Sequence, residues 1–436
     1  MAFAAGEPGM RHWFDGDPQG APPADACVAY VDTARAWVAA CGPLAGSDEA
    51  RARAALRFVA AARASGRRAC FFATEDPALP GLSRLLIGEQ PIFRPGAWLA
   101  ELSRHRRLRE QLRRARAKGL TVRRVAPGEL TAGAPLRASV ERLAAAWLGA
   151  RRLEPMKFLL ALEPFHAPEQ HLYLLAERGG RAVGFLSAVP IGARHAWLVE
   201  DVVRSGRAPN GTTESLLAAL MRETCDSAYV TLGLTPLAGA VAWPLRMARW
   251  IARPLFDFEG LRAFRERLRP HAWQPVWLSY PRGRPAGWAI HDSLRAFAGG
   301  SLVGFGVRSL VRHPSGLPWA LALPLPAWTA GLAWLLASHR AALLGLPRIE
   351  LGLWIAFDAL LLLVLVRVAM RPRRARLLLA TALASVDAAL SLGHLAWVGP
   401  GATALQVSLR SLSMLAPVAG ALLLAWATSR SDRAAR

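Results

Sequence analysis

Residues 199–220 read VEDVVRSGRAPNGTTESLLAAL, and the prediction of both fold and site starts from this stretch. Its first apolar run predicts the end of a buried strand, the Pro-Asn-Gly sequence predicts a turn, and residues 211–225 predict a helix. The first turn of a helix offers free backbone N–H groups and a positive end. Strand, turn and helix start together therefore predict a cradle for an anion or an acyl group.

Two adjacent carboxylates, Glu200 and Asp201, stand where the predicted strand ends. Neighbouring side chains of an extended strand point to opposite faces, so both can serve one site only if the strand bulges there. We therefore predict that one of them works. Asp201 is the candidate general base, and Arg204 the candidate donor to an oxyanion or a phosphate. The alternatives are a structural Asp–Arg pair and a histidine base, for which the candidates are His166, His171 and His195.

The loop GLTPLAG at 233–239 follows the next predicted strand. Its glycine and proline impose a tight turn, which we place beside the cradle; the alternative is an ordinary strand-to-helix connection. The candidate substrate-binding residues of the cradle and this loop are Arg207, Asn210, Gly211, Thr212, Gly233 and Pro236.

The first 300 residues alternate strand and helix patterns in two similar passes. Each pass reads as a hairpin, a helix and one more strand, with the helices at 47–64 and 211–225. Two α/β units of the same order predict tandem domains of the acyl-CoA N-acyltransferase-like (GNAT-like) fold. The alternative is one larger doubly wound sheet.

The chain is strongly basic, with a formal net charge of +23 over 436 residues. Such a charge favours an anionic partner, either nucleic acid or a lipid surface. The four cysteines lack the spacing of a zinc site or a disulfide framework, which favours a reducing compartment, and no cofactor is predicted.

The densest basic segment is RRLREQLRRARAKGL at 106–120. At helical spacing Leu108, Leu112 and Ala115 form one apolar stripe, and arginines cover the remaining surface. Guanidinium groups suit the phosphates of an RNA backbone or of lipid head groups. The alternative is a solvated helix face. The candidate phosphate-binding residues are Arg109, Arg113, Arg114 and Arg116.

The last third of the chain predicts four transmembrane helices, since each of its apolar stretches has close to the ~20 residues that cross a bilayer. These stretches are 317–338, 349–369, 377–398 and 411–429. Arginines concentrate in RPRRAR at 371–376 and in the C-terminal tail, so the positive-inside rule places both, with residues 1–316, in the cytoplasm. The predicted organisation is a tail at 1–19, GNAT-like domains at 20–125 and 126–285, a basic linker or interfacial segment at 286–316, the helices within 317–430 and a tail at 431–436.

The combination VEDVVR, APNGT, ESLL and YVTLGLTPLAG, followed by FDFEGLRAFRERLRPHAWQPVWLSYP, resembles the C-terminal catalytic domain of phosphatidylglycerol lysyltransferases, the multiple peptide resistance factor family. The resemblance covers roughly residues 20–285. It implies tandem acetyltransferase-like folds that move an amino acid from aminoacyl-tRNA to a hydroxyl of phosphatidylglycerol. The family's D-x-x-R falls on Asp201 and Arg204, and its LG and PL pairs fall on Leu232, Gly233, Pro236 and Leu237. The chain departs from the family's pattern in one respect, because four predicted helices follow the catalytic part where the family has a long N-terminal membrane region with a flippase.

The expected function is therefore a membrane-anchored aminoacyltransferase of the bacterial inner membrane, whose partners are aminoacyl-tRNA and an anionic membrane lipid. One alternative is an acyltransferase that uses acyl-CoA on a lipid amine, although RAPNGT has one glycine where that class has two. Another is a non-catalytic module that binds anionic lipid or RNA.

Overall fold

The computed structural model describes residues 9–16, 26–151, 155–159, 162, 165–253, 256–312, 316–340, 343–370, 373–398 and 403–434. The chain divides into two compact units, Met1–Phe305 and Gly306–Arg436. The predicted tails at 1–19 and 431–436 and the loop at 371–376 lie partly outside the described residues. The finer domain boundaries within residues 20–285 stay predictions.

The first unit contains thirteen strands and nine α-helices within the described residues, and the last of these helices continues past residue 305. The strands are β1 (Arg11–Phe14), β2 (Ala26–Asp32), β3 (Ala36–Ala40), β4 (Leu44–Ala45), β5 (Arg68–Thr74), β6 (Leu82–Phe93), β7 (Leu120–Val125), β8 (Leu172–Arg178), β9 (Arg181–Ile191), β10 (Ala196–Arg204), β11 (Tyr229–Thr231), β12 (Thr235–Pro236) and β13 (Ala272–Pro281). The helices are α1 (Asp48–Ala64), α2 (Pro95–Glu101), α3 (Arg106–Ala117), α4 (Pro135–Gly149), α5 (Thr212–Glu223), α6 (Trp243–Ala252), α7 (Phe258–Arg267), α8 (Ala286–Phe297) and α9 (Leu302–Arg312).

All thirteen strands join one mixed sheet in the order β1-β2-β3-β5-β13-β6-β11-β10-β9-β8-β7, with β4 paired to β2 and β12 to β6. The two halves repeat one pattern. In the first, a hairpin of β2 and β3 leads through α1 to β5, which is parallel to β3. In the second, a hairpin of β9 and β10 leads through α5 to β11, which is parallel to β10. The sheet is continuous but mixed rather than doubly wound, and the predicted tandem GNAT-like fold class is confirmed.

Helices cover both faces of each half. In the second half α2, α3 and α5 pack on one face, here called the α5 face, around Leu174, Leu186 and Leu216. The opposite face, here called the α4 face, packs α4 against Tyr173, Phe185 and Val203. Period-two alternation along β8 and β9 produces this division, because successive side chains enter different cores.

Local signals in the sequence define several helix ends. The predicted cap Ser47 accepts a hydrogen bond from the backbone N–H of Ala50 at 3.1 Å, at the start of α1. Gly119 follows α3 with φ +77°, a left-handed conformation that ends a helix at little cost for glycine.

The second unit contains α10 (Leu317–Ala322), α11 (Leu325–Ala337), α12 (Arg348–Met370), α13 (Arg374–Val398) and α14 (Ala404–Ala434). Its described residues provide four helical stretches long and apolar enough to cross a membrane, at Leu317–Ala337, Arg348–Met370, Arg374–Val398 and Gln406–Ser429. The four predicted spans are thus confirmed as membrane-spanning candidates.

Candidate functional site

Strand β10 carries a β-bulge at the two carboxylates. Val199 pairs with Ala188 of β9, the next pair joins Asp201 to Ser187, and Glu200 is the extra residue between them. A bulge inserts one residue into a ladder and shifts the facing of those that follow. The condition under which Glu200 and Asp201 can share a side is therefore met.

The same stretch of β10 lies where the sheet opens. In the described ladder β10 and β11 pair only over Ala196–Leu198 and Tyr229–Thr231, after which the chain turns at Gly233 with φ +67°. From Val199 onward, β10 keeps its partner β9 but no longer has β11 beside it. We call the opening between residues 199–203 and 232–234 the notch.

Each carboxylate contacts a polar side chain beside the notch: Glu200 contacts His171, which directly precedes β8, and Asp201 contacts Ser187 of β9. Glu200 Oε2 lies 2.8 Å from Nε2 of the buried His171, whose ring stacks on Tyr173 with centroids 5.4 Å apart. Asp201 Oδ2 accepts a hydrogen bond from the Ser187 hydroxyl at 3.3 Å. Burial, together with the negative charges of Glu200 and Asp201, raises the pKa of Tyr173. The expectation that the two carboxylates face opposite sides is therefore wrong, because the bulge brings both towards Tyr173.

Hydrogen-bond chemistry places a proton between His171 and Glu200. Nδ1 of His171 lies 3.0 Å from the carbonyl oxygen of Ala167, which can only accept, so Nδ1 is the donor there. The Nε2–Glu200 contact then needs a second proton, either on Nε2 or on the carboxyl. The pair therefore holds one proton that can shift between its partners.

Arg204 does not share the face of Asp201. The ladder is regular from Asp201 to Arg204, so residues three apart point to opposite sides. Val203 enters the α4-face core and Val202 packs against the α5-face core, which sets Arg204 on the α5 side. Arg204 is exposed there, so the predicted pair is not brought together on one face of the sheet.

The predicted cradle at the start of α5 is largely filled by α3. Gly211 is buried at φ +98°, and a Cβ added to it would lie 2.9 Å from the carbonyl oxygen of Gln111. The Gln111 side chain donates to buried Glu214 at 2.8 Å, and the Thr212 hydroxyl donates to the Pro209 carbonyl at 2.7 Å. Two further predicted residues of this turn, Arg207 and Asn210, are exposed.

The predicted loop at 233–239, here called the site loop, is held in place by Arg265 of α7. Its guanidinium donates to the carbonyls of Leu232 and Gly233 at 2.7 and 2.9 Å, and to the Thr235 hydroxyl at 2.6 Å. Burial lowers the pKa of Arg265 to about 10. Pro236 lies one residue farther on and pairs with Gly88 of β6. These contacts hold the site loop in one position beside the notch. The sequence did not identify Arg265 as the residue that holds it.

A polar network missed by the sequence reasoning ends at the same loop. The carboxylate of Glu75 contacts Arg194 and accepts from the buried Gln90 side chain at 2.7 Å. The Thr231 hydroxyl donates to Gln90 at 3.3 Å and accepts from the backbone N–H of Gly233 at 3.2 Å. The residues are widely separated in sequence, so only the folded sheet brings this network together.

Helix α3 has the predicted apolar stripe, with Leu108, Leu112 and Ala115 buried. Several of its arginines are used within the chain. Glu110 binds Arg113 and Arg114 at 2.9 Å, which holds the pKa of Glu110 at about 2, and Arg109 donates to the Ser103 carbonyl at 2.7 Å. All four candidate arginines remain exposed, the fourth being Arg116.

No cluster suited to a metal ion occurs among the described residues, if three or more His, Cys, Asp or Glu side chains are required. The titratable side chains at and around the notch are carboxylates, a histidine and arginines. Such a set can move protons and bind anions.

The solved structures with a similar fold include two bacterial proteins, each with a TM-score above 0.5. The C-terminal domain assigned to a lysylphosphatidylglycerol synthetase from Agrobacterium fabrum has a TM-score of 0.55 and 23% identity, over 67% of this chain and 91% of that one. L-PGS from Bacillus licheniformis has a TM-score of 0.56 and 19% identity, over 66% of this chain and 89% of that one. At these identities the likeness establishes the fold alone.

Sequence comparison leads to the same family. A phosphatidylglycerol lysyltransferase of Bacillus subtilis (strain 168) is 27% identical over 150 residues, which cover 32% of this chain and 17% of that much longer protein. The family model described as phosphatidylglycerol lysyltransferase, C-terminal, matches residues 12–280, more than half of the chain. The chain therefore belongs to the phosphatidylglycerol lysyltransferase C-terminal family, a family of transferases.

Proposed function

We propose that the chain transfers an amino acid from aminoacyl-tRNA to a hydroxyl of a phosphatidylglycerol-like lipid, and that the reaction takes place at the notch. The observation that carries the proposal is the bulge in β10, which gathers Glu200, Asp201 and His171 where β10 and β11 separate. Membership of the lysyltransferase family supplies the reaction class.

The proposed reaction is an exchange of esters. The lipid oxygen attacks the carbonyl carbon of the aminoacyl ester, a new C–O bond forms, and the C–O bond to the terminal ribose breaks. The proton of the lipid hydroxyl ends on the ribose oxygen that leaves. A positioned base that takes this proton, and an acid that returns it, would lower the barrier of both steps.

Asp201 is the proposed base, because its half-buried carboxylate lies beside the notch and accepts a hydrogen bond from the Ser187 hydroxyl, which orients it. His171 and Glu200 are the proposed proton store, since their hydrogen bond already contains a transferable proton. Arg204, on the opposite face, is proposed to bind a phosphate of the donor rather than an oxyanion beside Asp201.

The donor is proposed to be an aminoacyl-tRNA rather than an acyl-CoA. Acyl-CoA enzymes of this fold bind the pyrophosphate at the helix start that corresponds to α5. Gln111 occupies the space beside Gly211 at that point, which counts against a pyrophosphate there. The arginines of α3 and the remaining surface charge suit a polynucleotide.

We place the protein in the bacterial inner membrane, with residues 1–316, the loop at 371–376 and the C-terminus in the cytoplasm. The candidate spans and the arginine asymmetry support this orientation. The division into units at 20–125 and 126–285 also stays part of the proposal, supported by the repeated hairpin, helix and strand order.

Radiolabelled aminoacyl-tRNA, incubated with membranes from cells that express the full chain, tests the function. Label in the extracted lipid, lost on mild base treatment that cleaves esters, is the expected result. Transfer from a labelled acyl-CoA, with none from aminoacyl-tRNA, would support the acyltransferase reading and overturn ours. If the chain binds both RNA and lipid but forms no labelled product, the result would support the alternative of a non-catalytic binding module.

A further inference from the structure

Helix α6 presents an apolar stripe on the surface of the first unit. Trp243, Met247 and Trp250 are 68%, 47% and 66% exposed, although large apolar side chains are usually buried. They are spaced by four and three residues, so they lie on one side of the helix. Leu245, on the other side, is buried against the unit. The stripe is thus the outer face of a helix that is already anchored.

Arginines border this stripe. At ~100° per residue, Arg246 and Arg253 lie next to Trp243 and Trp250 on one flank of the helix. Both are exposed, and Arg253 also contacts Glu259 at 2.9 Å. An apolar stripe of aromatic residues with cations along its edge is the pattern of a helix that lies in a membrane interface. Tryptophan suits that depth because its ring is apolar and its N–H stays hydrated.

We propose that α6 docks on an anionic lipid surface, with Trp243, Met247 and Trp250 inserted among the lipids and Arg246 on the headgroup phosphates. The chain itself carries four candidate spans, so a bilayer is part of its own environment. A stripe of three side chains is small for a stable dimer, which buries about 800 Å² on each partner. The choice of lipid as partner rests on the proposed function.

The docking helix is tied to the candidate site. Arg249, on the inner side of α6, donates to the carbonyl of Leu237 at 3.0 Å, at the end of the site loop. An open cleft of about 230 Å³ lies beside this contact, and its walls are residues 236–239, Arg249 and α7. Docking of α6 therefore holds the cleft and the loop near the headgroups, where a lipid substrate would enter.

A spin label tests the docking without measuring turnover. The full chain is reconstituted in nanodiscs that contain phosphatidylglycerol, with Cys27 and Cys225 replaced by Ser and a nitroxide attached to Met247→Cys. Leu56→Cys on α1 is the matched control, since Leu56 is 46% exposed. We expect the label at 247 to be accessible to oxygen and shielded from a water-soluble nickel chelate, and the label at 56 to show the reverse. Equal access of nickel to both labels would overturn the proposal.

Two further results would assign the stripe to another partner. Shielding that persists in detergent and grows with protein concentration would identify a second copy of the chain. Shielding that requires added tRNA would identify RNA. Either outcome refutes lipid docking.

A kinetic comparison separates this inference from the proposed function. For Trp243→Ala/Trp250→Ala we expect KM for lipid to rise about tenfold with kcat within about twofold, because docking touches no reacting atom. If the wild-type chain forms no lipid product while the label at 247 is lipid-shielded, the function fails and the docking stands. If product forms while the label is exposed to nickel and the double variant keeps its KM, the docking fails alone.

Discussion

Replacement of Glu200 by Gln removes the shared proton of the candidate site with little change of shape. In the wild-type chain Glu200 Oε2 lies 2.8 Å from His171 Nε2, and Nδ1 donates to the Ala167 carbonyl. In Glu200→Gln the new amide N–H can donate to Nε2, so the contact survives as a neutral hydrogen bond. Neither partner then holds the additional proton.

The expected effects on rate and on stability differ widely. Loss of a group that supplies a proton in the transition state typically slows a reaction by ~100-fold or more. The exchange of a charged for a neutral hydrogen bond changes the free energy of unfolding by about 1 kcal/mol. We therefore expect kcat to fall at least ~100-fold while the melting temperature moves by only a few degrees.

The assay measures labelled lipid formed from aminoacyl-tRNA under saturating lipid. Glu177→Gln is the matched control, because Glu177 lies on β8 of the same half-sheet, has a similar side-chain exposure (26% against 23%) and forms an ion pair with Arg123. Asp201→Asn tests the proposed base in the same series and should also lose product. If Glu200→Gln keeps activity within threefold of wild type while Asp201→Asn is inactive, the role of His171 and Glu200 as a proton store is refuted and Asp201 alone remains as the proton-transferring group.

Three further predictions concern other parts of the chain. Gly211→Ala should destabilise the first unit by about 1–3 kcal/mol, since residue 211 has φ +98° and its Cβ would meet Gln111; an unchanged denaturation midpoint would contradict the packing of α3 on α5. Combined replacement of Arg109, Arg113, Arg114 and Arg116 by Gln should weaken tRNA binding and flatten its dependence on salt, whereas an unchanged slope would identify a solvated helix face. A reporter that works only in the cytoplasm should be active when it is fused at Arg436. Activity of a reporter that works only in the periplasm, fused at the same residue, would reverse the proposed orientation.

Local patterns in the sequence predicted much of the fold. The stripe of Leu108, Leu112 and Ala115 and the cap at Ser47 depend on residues within a turn or two of each other. The candidate spans depend on length and apolar content, which are read directly from the chain. These features need no knowledge of distant partners.

The site was less accessible to sequence reasoning, because it depends on pairing. Whether β10 bulges at Glu200 is decided by its register with β9, and the register alone determines which carboxylate faces His171. The left-handed glycine at 211 gave a signal for a tight turn but not for the approach of Gln111, one hundred residues earlier. Arg265 lies about thirty residues after the site loop that it holds. Its helix α7 has the sequence pattern of an ordinary surface helix, so nothing local indicated the contact.

The position of β13 has a consequence for the order in which the protein can be made. β5 and β6 do not neighbour each other in the sheet. β13 lies between them, pairs with both, and is the last strand along the chain among the described residues. Until residue 281 has left the ribosome, the nascent chain carries two half-sheets, each with an unpaired edge that other strands could join. The sequence of the candidate spans follows only afterwards, so synthesis itself gives the sheet time to close before membrane insertion begins. A chain shortened to end before β13 should consequently aggregate, even though it retains every residue of the notch.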